Sequence, residues 1–206
     1  QAQMLLILVT ILWGLTVVAQ KTGMETLGPL SFTAARYLIG SIGIFPIALI
    51  ECKKNTIIPL LKKDARLLTK ATAMGCFMFC GISLQQSALQ YTNIANAAFL
   101  TALYVPAVPF LTWFLFRYPI KIKIWIALLI SLIGSWMLSG SGTIVSQFGD
   151  ILAIASVLFW AGHIILISNV TKKINMPFQL SFIQSVICLI LSFGFALVLE
   201  KPELFN

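Results

Sequence analysis

The chain has 206 residues, of which 59% are hydrophobic and 10% charged, with a mean hydropathy of +0.98. That leaves too little polar surface for a water-soluble domain. A spanning helix needs about 20 apolar residues, so the length accommodates roughly seven spans and no separate soluble domain. The formal charge of +8, from 14 Lys and Arg against 6 Asp and Glu, suggests nucleic acid only if the basic residues form one patch.

Seven apolar segments predict an all-α polytopic membrane protein: residues 4 to 21, 29 to 50, 67 to 90, 93 to 116, 121 to 140, 149 to 169 and 177 to 199. Residues 71 to 116 are almost uninterrupted, too long for one crossing, and Gln90-Tyr91-Thr92-Asn93 is the only plausible break. Pro106 and Pro109 interrupt the fourth segment, where each removes a backbone hydrogen bond and permits a kink. Cys52, Cys76, Cys80 and Cys188 have neither CxxC spacing nor a disulfide pattern. No metal site and no cofactor are expected.

Charge placement gives the orientation. Lys and Arg near span ends favour the cytoplasmic side, and the loops after the second, fourth and sixth segments hold 11 of them, from Lys53 to Lys173. The loops after the other segments hold only Lys21 and Lys201, beside Glu25, Asp150, Glu200 and Glu203. The two sides sum to +9 and −2, with Arg36 alone inside a span. The basic excess is therefore topological, with a cytoplasmic N-terminus and no nucleic-acid partner.

A short pattern recurs. Ile11-Leu12-Trp13-Gly14 aligns with Leu158-Phe159-Trp160-Ala161, and Gly28-Pro29-Leu30 with Met176-Pro177-Phe178. Five spans separate the copies, so the second enters the membrane inverted. Inverted repeats are a mark of secondary transporters, whose site lies near the midplane between the halves.

The run Leu12-Trp13-Gly14, the helix opening from Pro29 to Tyr37, Asn96-Ala97-Ala98-Phe99-Leu100 followed by Pro106, and then Gly149-Asp150-Ile151-Leu152-Ala153 with Trp160-Ala161 resemble the EamA family of the drug/metabolite transporter superfamily. The resemblance covers essentially the whole chain and rests on the order and spacing of motifs that are individually soft. It implies an inverted five-helix repeat bundle of ten helices, seven of them here. Residues 1–140 would be the first repeat, and 149–206 the start of a second, incomplete one. It also implies export of small metabolites or amino acids across a bacterial inner membrane. Two departures stand out: Phe116-Arg117-Tyr118-Pro119 occupies a place where the family often has an acidic residue, and the second half stops after two helices. The chain is accordingly expected to be a truncated or incompletely represented transporter.

Candidate substrate-binding residues are polar or aromatic groups within spans, where they are costly unless used. Gln85 and Gln86 either contact substrate or pack, and being about 100° apart on a helix they do not face one cavity together. Asn96 either contacts substrate or bonds across to the third span. Trp13 and Trp160 are repeat equivalents, as are Thr16 and His163, three residues further on. His163, the only histidine, suits proton coupling or stands as a neutral bundle residue. Arg36 either meets an anionic substrate group or pairs with carbonyls or lipid phosphate; its repeat equivalent is Gln184. Tyr104 adds a hydroxyl to the cavity wall. The expected partners are a small-molecule substrate, the lipid bilayer and protons as coupling ion. An enzyme is not expected, for the chain has no HExxH, one histidine and no carboxylate at the centre of any span. The alternative is a non-transporting membrane receptor or partner protein.

Overall fold

A computed structural model describes residues 2–24, 26–117, 119–138, 148–172 and 174–200. Among these, all regular structure is helical: α1 (Ala2–Gly23), α2 (Pro29–Lys54), α3 (Ile58–Lys63), α4 (Ala65–Tyr91), α5 (Ile94–Ala102), α6 (Tyr104–Phe116), α7 (Ile122–Leu138), α8 (Phe148–Thr171) and α9 (Pro177–Leu199). The end of the expected fifth segment, together with Glu25, Tyr118, Lys173, Lys201 and Glu203, lies outside the described residues.

Helix boundaries follow local chemistry. Pro29 and Pro177 open α2 and α9, where a missing N–H costs nothing. The Asp64 carboxylate accepts from the backbone N–H of Arg66 and Leu67 at the start of α4, at 3.0 and 3.3 Å. The expected break after α4 is present, and Asn93 caps α5 by accepting from the Asn96 N–H at 2.7 Å. The fourth segment divides at Leu103. Pro106 has no N–H for the carbonyl of Ala102, so the ladder fails one turn before the ring.

Among the described residues, six helical stretches are long and apolar enough to cross a bilayer: α1, α2, α4, α5 with α6, α8 and α9. The fifth expected span, α7, is apolar and 17 residues long as far as it is described, roughly 25 Å at about 1.5 Å per residue. The chain is a multi-pass membrane protein.

The centre of the bundle is α4, flanked by α8 and α9. Gly149 of α8 lies against Ala88 and Tyr91, Trp160 against Gly81, and Gly162 against Phe77, so α8 runs antiparallel to α4. Ile187 packs on Gly75 and Phe195 on Phe79, so α9 runs parallel to it. These directions agree with alternating crossings. Glycines at the contacts permit close approach, which matters because lipid supplies no hydrophobic drive between helices. Large side chains such as Ile39, Ile42 and Val198 stay outside, 72%, 65% and 73% exposed, as lipid-facing residues do. An apolar cluster of Ile57, Leu67, Met74, Val170, Ile174 and Leu180 closes one end of the α4, α8 and α9 trio. Ala88, Leu100 and Ala153 close the other.

Candidate functional site

Three helices meet through polar side chains within the apolar bundle. The Trp160 indole N–H of α8 donates to Gln85 Oε1 of α4 at 3.0 Å. Gly81, one turn earlier on α4, lets the indole lie on the helix, since a side chain there would come within 3.3 Å of the ring. Indole is donor-only, which sets the Gln85 amide with its oxygen toward Trp160.

One turn further along α8, His163 Nε2 is 2.6 Å from Gln184 Oε1 of α9. The Gln184 Nε2 donates to the Leu180 carbonyl at 3.2 Å, so the amide oxygen faces the ring and Nε2 of His163 carries the proton. That tautomer leaves Nδ1 as an acceptor. The rings of Trp160 and His163 meet edge to face with centroids 5.9 Å apart. Gln85, Trp160, His163 and Gln184 thus form one polar chain from α4 through α8 to α9. Gln85, His163 and Gln184 are each less than a tenth exposed.

Gln86 turns the other way, toward α1. It is fully buried, its amide nitrogen meets Met24 Sδ at 3.0 Å, and its oxygen has no partner among the described residues. A buried, unspent acceptor costs about 1–3 kcal/mol in folding, and it remains available to a donor on a ligand. The two adjacent glutamines therefore serve different faces of α4, in keeping with their separation of about 100° on a helix.

The other expected residues are dispersed. Asn96 donates to Asp150 Oδ1 at 2.6 Å and to Thr92 Oγ1 at 3.2 Å, and Thr92 donates to the same carboxylate oxygen at 2.8 Å. This cluster ties the α4–α5 turn to the start of α8. Trp13 is half exposed on α1, and the Thr16 hydroxyl donates to the Trp13 carbonyl in its own helix at 2.7 Å; neither joins the polar chain. The Arg36 guanidinium carbon is 5.2 Å from the centroid of its neighbour Tyr37, a cation–π distance. Tyr104 is half-buried at the start of α6.

Two participants escaped the sequence reading. Gln184 appeared there only as the counterpart of Arg36, though an amide two turns into a largely apolar helix was a usable signal. Asp150 appeared as an outer-loop charge, whereas it lies in the first turn of α8 and is buried. A carboxylate in a helix's first turn is favoured by the helix dipole.

The model of the EamA-like transporter family matches residues 1–140. The chain belongs to that family. An uncharacterized transporter of Archaeoglobus fulgidus is 29% identical over 195 residues, which cover 93% of this chain and 56% of the relative. The chain therefore spans a little over half the length of the curated relative it matches. No solved structure matches it. In this EamA-like chain the family match covers α1 to α7, while the polar chain takes Trp160, His163 and Gln184 from beyond residue 140.

Proposed function

We propose that this EamA-like protein is a secondary transporter that moves a small polar or amphipathic metabolite outward across a cell inner membrane, by alternating access between two inverted halves. The polar chain Gln85–Trp160–His163–Gln184 carries this reading. It links helices from both halves, and its buried polar groups have a use in ligand recognition beyond packing. Gln86 contributes its unspent oxygen from a different face of α4. His163 is the proton-coupling group, because the tautomer that donates from Nε2 to Gln184 leaves Nδ1 with a lone pair that can take a proton. The N-terminus is cytoplasmic, supported by the 11 basic residues on one side of the alternating loops. The absence of paired carboxylates from span centres favours transport over an intramembrane enzyme.

Proteoliposomes containing the complete protein test this. A panel of amino acids, nucleosides and amphipathic cations should include one that is moved in exchange for protons. His163→Asn should retain substrate binding and lose stimulation by a pH gradient. Failure of the whole panel, with and without a gradient, would overturn the reading.

A further inference from the structure

Helices α2 and α9 lie antiparallel, and each carries a glutamate, Glu51 in the last turn of α2 and Glu200 just after α9, that caps the first turn of the other. At one end, the Glu200 carboxylate accepts from the Leu30 N–H at 2.6 Å and the Ser31 N–H at 2.8 Å, one oxygen to each. At the opposite end, Glu51 Oε2 accepts from the Gln179 N–H at 2.9 Å. The two arrangements correspond. Each receiving helix opens on a proline with no N–H to offer, Pro29 or Pro177, and the carboxylate takes first-turn amides beyond it, two at Pro29 and one at Pro177. Four N–H groups are left over at any helix start, and a carboxylate there is favoured by hydrogen bonds and by the dipole together.

Further contacts reinforce each end. Gly28 has an ordinary backbone conformation, φ −62°, yet a Cβ there would run into the Glu200 carboxylate, so a side chain at this position would push the carboxylate off its cap. At the other end, Gln179 accepts from the Ile57 N–H at 3.0 Å and donates to the Asn55 carbonyl at 2.7 Å. This stitches the segment after α2 to the first turn of α9. Both helices carry small buried residues at regular spacing, Ala34, Ser41 and Ala48 seven apart on α2 and Cys188, Ser192 and Ala196 four apart on α9, and between the two ends Phe45 packs on Phe182 with ring centroids 5.3 Å apart. Small residues let helices approach closely in lipid.

All four described acidic side chains, Glu51, Asp64, Asp150 and Glu200, accept from N–H or O–H donors. Two of them are spent on this exchange. If only stable helix ends were needed, a local cap such as that of Asp64 would serve. A cap borrowed from a helix 170 residues away in sequence at one end and 128 at the other fixes the two helices to each other.

We propose that Glu51 and Glu200 are paired positioning residues that hold α2 and α9 as one unit through the transport cycle, so that access to the site changes by movement of other helices against this pair. The proposal rests on the transport reading for its cycle, while the locking itself is measurable without transport. In a background without native cysteines, spin labels at Ala35 and Val198 report one end, and labels at Lys53 and Phe178 the other. In nanodiscs each pair should give one narrow distance distribution. Glu200→Gln keeps one acceptor but points an amide N–H at a backbone N–H; it should broaden the first distribution and leave the second. Glu51→Gln should do the reverse. Two populations at either end of the unsubstituted protein, or no broadening in either variant, would overturn the proposal. A second arm cross-links α2 to α9 at both ends through engineered cysteines and measures transport. An unchanged rate is expected, and loss of transport only after cross-linking would overturn the proposal. Absence of transport before cross-linking would sink the transporter reading instead and leave the distance measurements to decide the locking.

Discussion

Helices α1 and α8 carry the same pattern, a tryptophan followed by a small residue and, three positions after the tryptophan, a polar side chain, in opposite surroundings. In α1, Trp13 is 48% exposed, Thr16 bonds only its own backbone, and Gly14 has no atom within 4 Å of where a Cβ would sit. In α8, Trp160 bonds Gln85, Ala161 is completely buried, and His163 reaches Gln184. Only 7% of the apolar window of α1 is buried, against 28% for α8. The pattern thus supplies side chains, and the partner helix decides their use: α8 lies along α4 from Gly149 to Gly162, whereas Trp13 of α1 stays half exposed.

Crowding gives the sharpest break between the two helices. A Cβ at Gly149 would sit 2.9 Å from the Ala88 carbonyl oxygen and from the backbone of Tyr91, atoms that cannot rotate aside. Gly149→Ala is expected to cost about 1–3 kcal/mol, read as a lower midpoint in SDS-titrated unfolding. Full stability would mean that α8 does not start against the end of α4. Next in size is the tryptophan pair. Trp160→Phe strands the buried Gln85 oxygen and should cost about 1–2 kcal/mol, whereas Trp13→Phe should stay within about 0.5 kcal/mol. Equal losses would erase the contrast. Gly14→Ala should stabilise by about 0.5–1 kcal/mol, because alanine is the better helix former and meets nothing there. A loss of stability would reveal a partner covering α1. The smallest effect belongs to Thr16→Ala, within about 0.5 kcal/mol in the same titration, since its hydroxyl bonds only a carbonyl of its own helix.

Much of the fold was legible from hydropathy and punctuation. Proline at 29 and 177, and the polar break ending in Asn93, mark helix starts that the structure retains, because each acts on its own backbone. The kink in the fourth span falls at Leu103, a turn before Pro106, because a proline disables the carbonyl four residues earlier. The site was only partly legible. Gln85, Trp160 and His163 come together as polar groups in apolar helices suggest. Trp13 and Thr16 do not join them, since the repeat that singled them out says nothing about which helix packs beside α1. Asp150 was hidden by its position at the edge of an apolar run, where a loop charge and a buried helix-start carboxylate read alike.

The sequence by itself determined that the chain spans a membrane, where most helices begin and end, and which few polar side chains are carried into the apolar interior. These depend on hydropathy and on interactions within a turn or two of chain. The tertiary structure alone decided that Gln85 and Gln86 face different helices, that Gln184 fixes the tautomer of His163, and that Glu51 and Glu200 cap each other's helices. Those contacts join residues far apart in sequence, and they exist only once α2, α4, α8 and α9 are packed at a given rotation and depth.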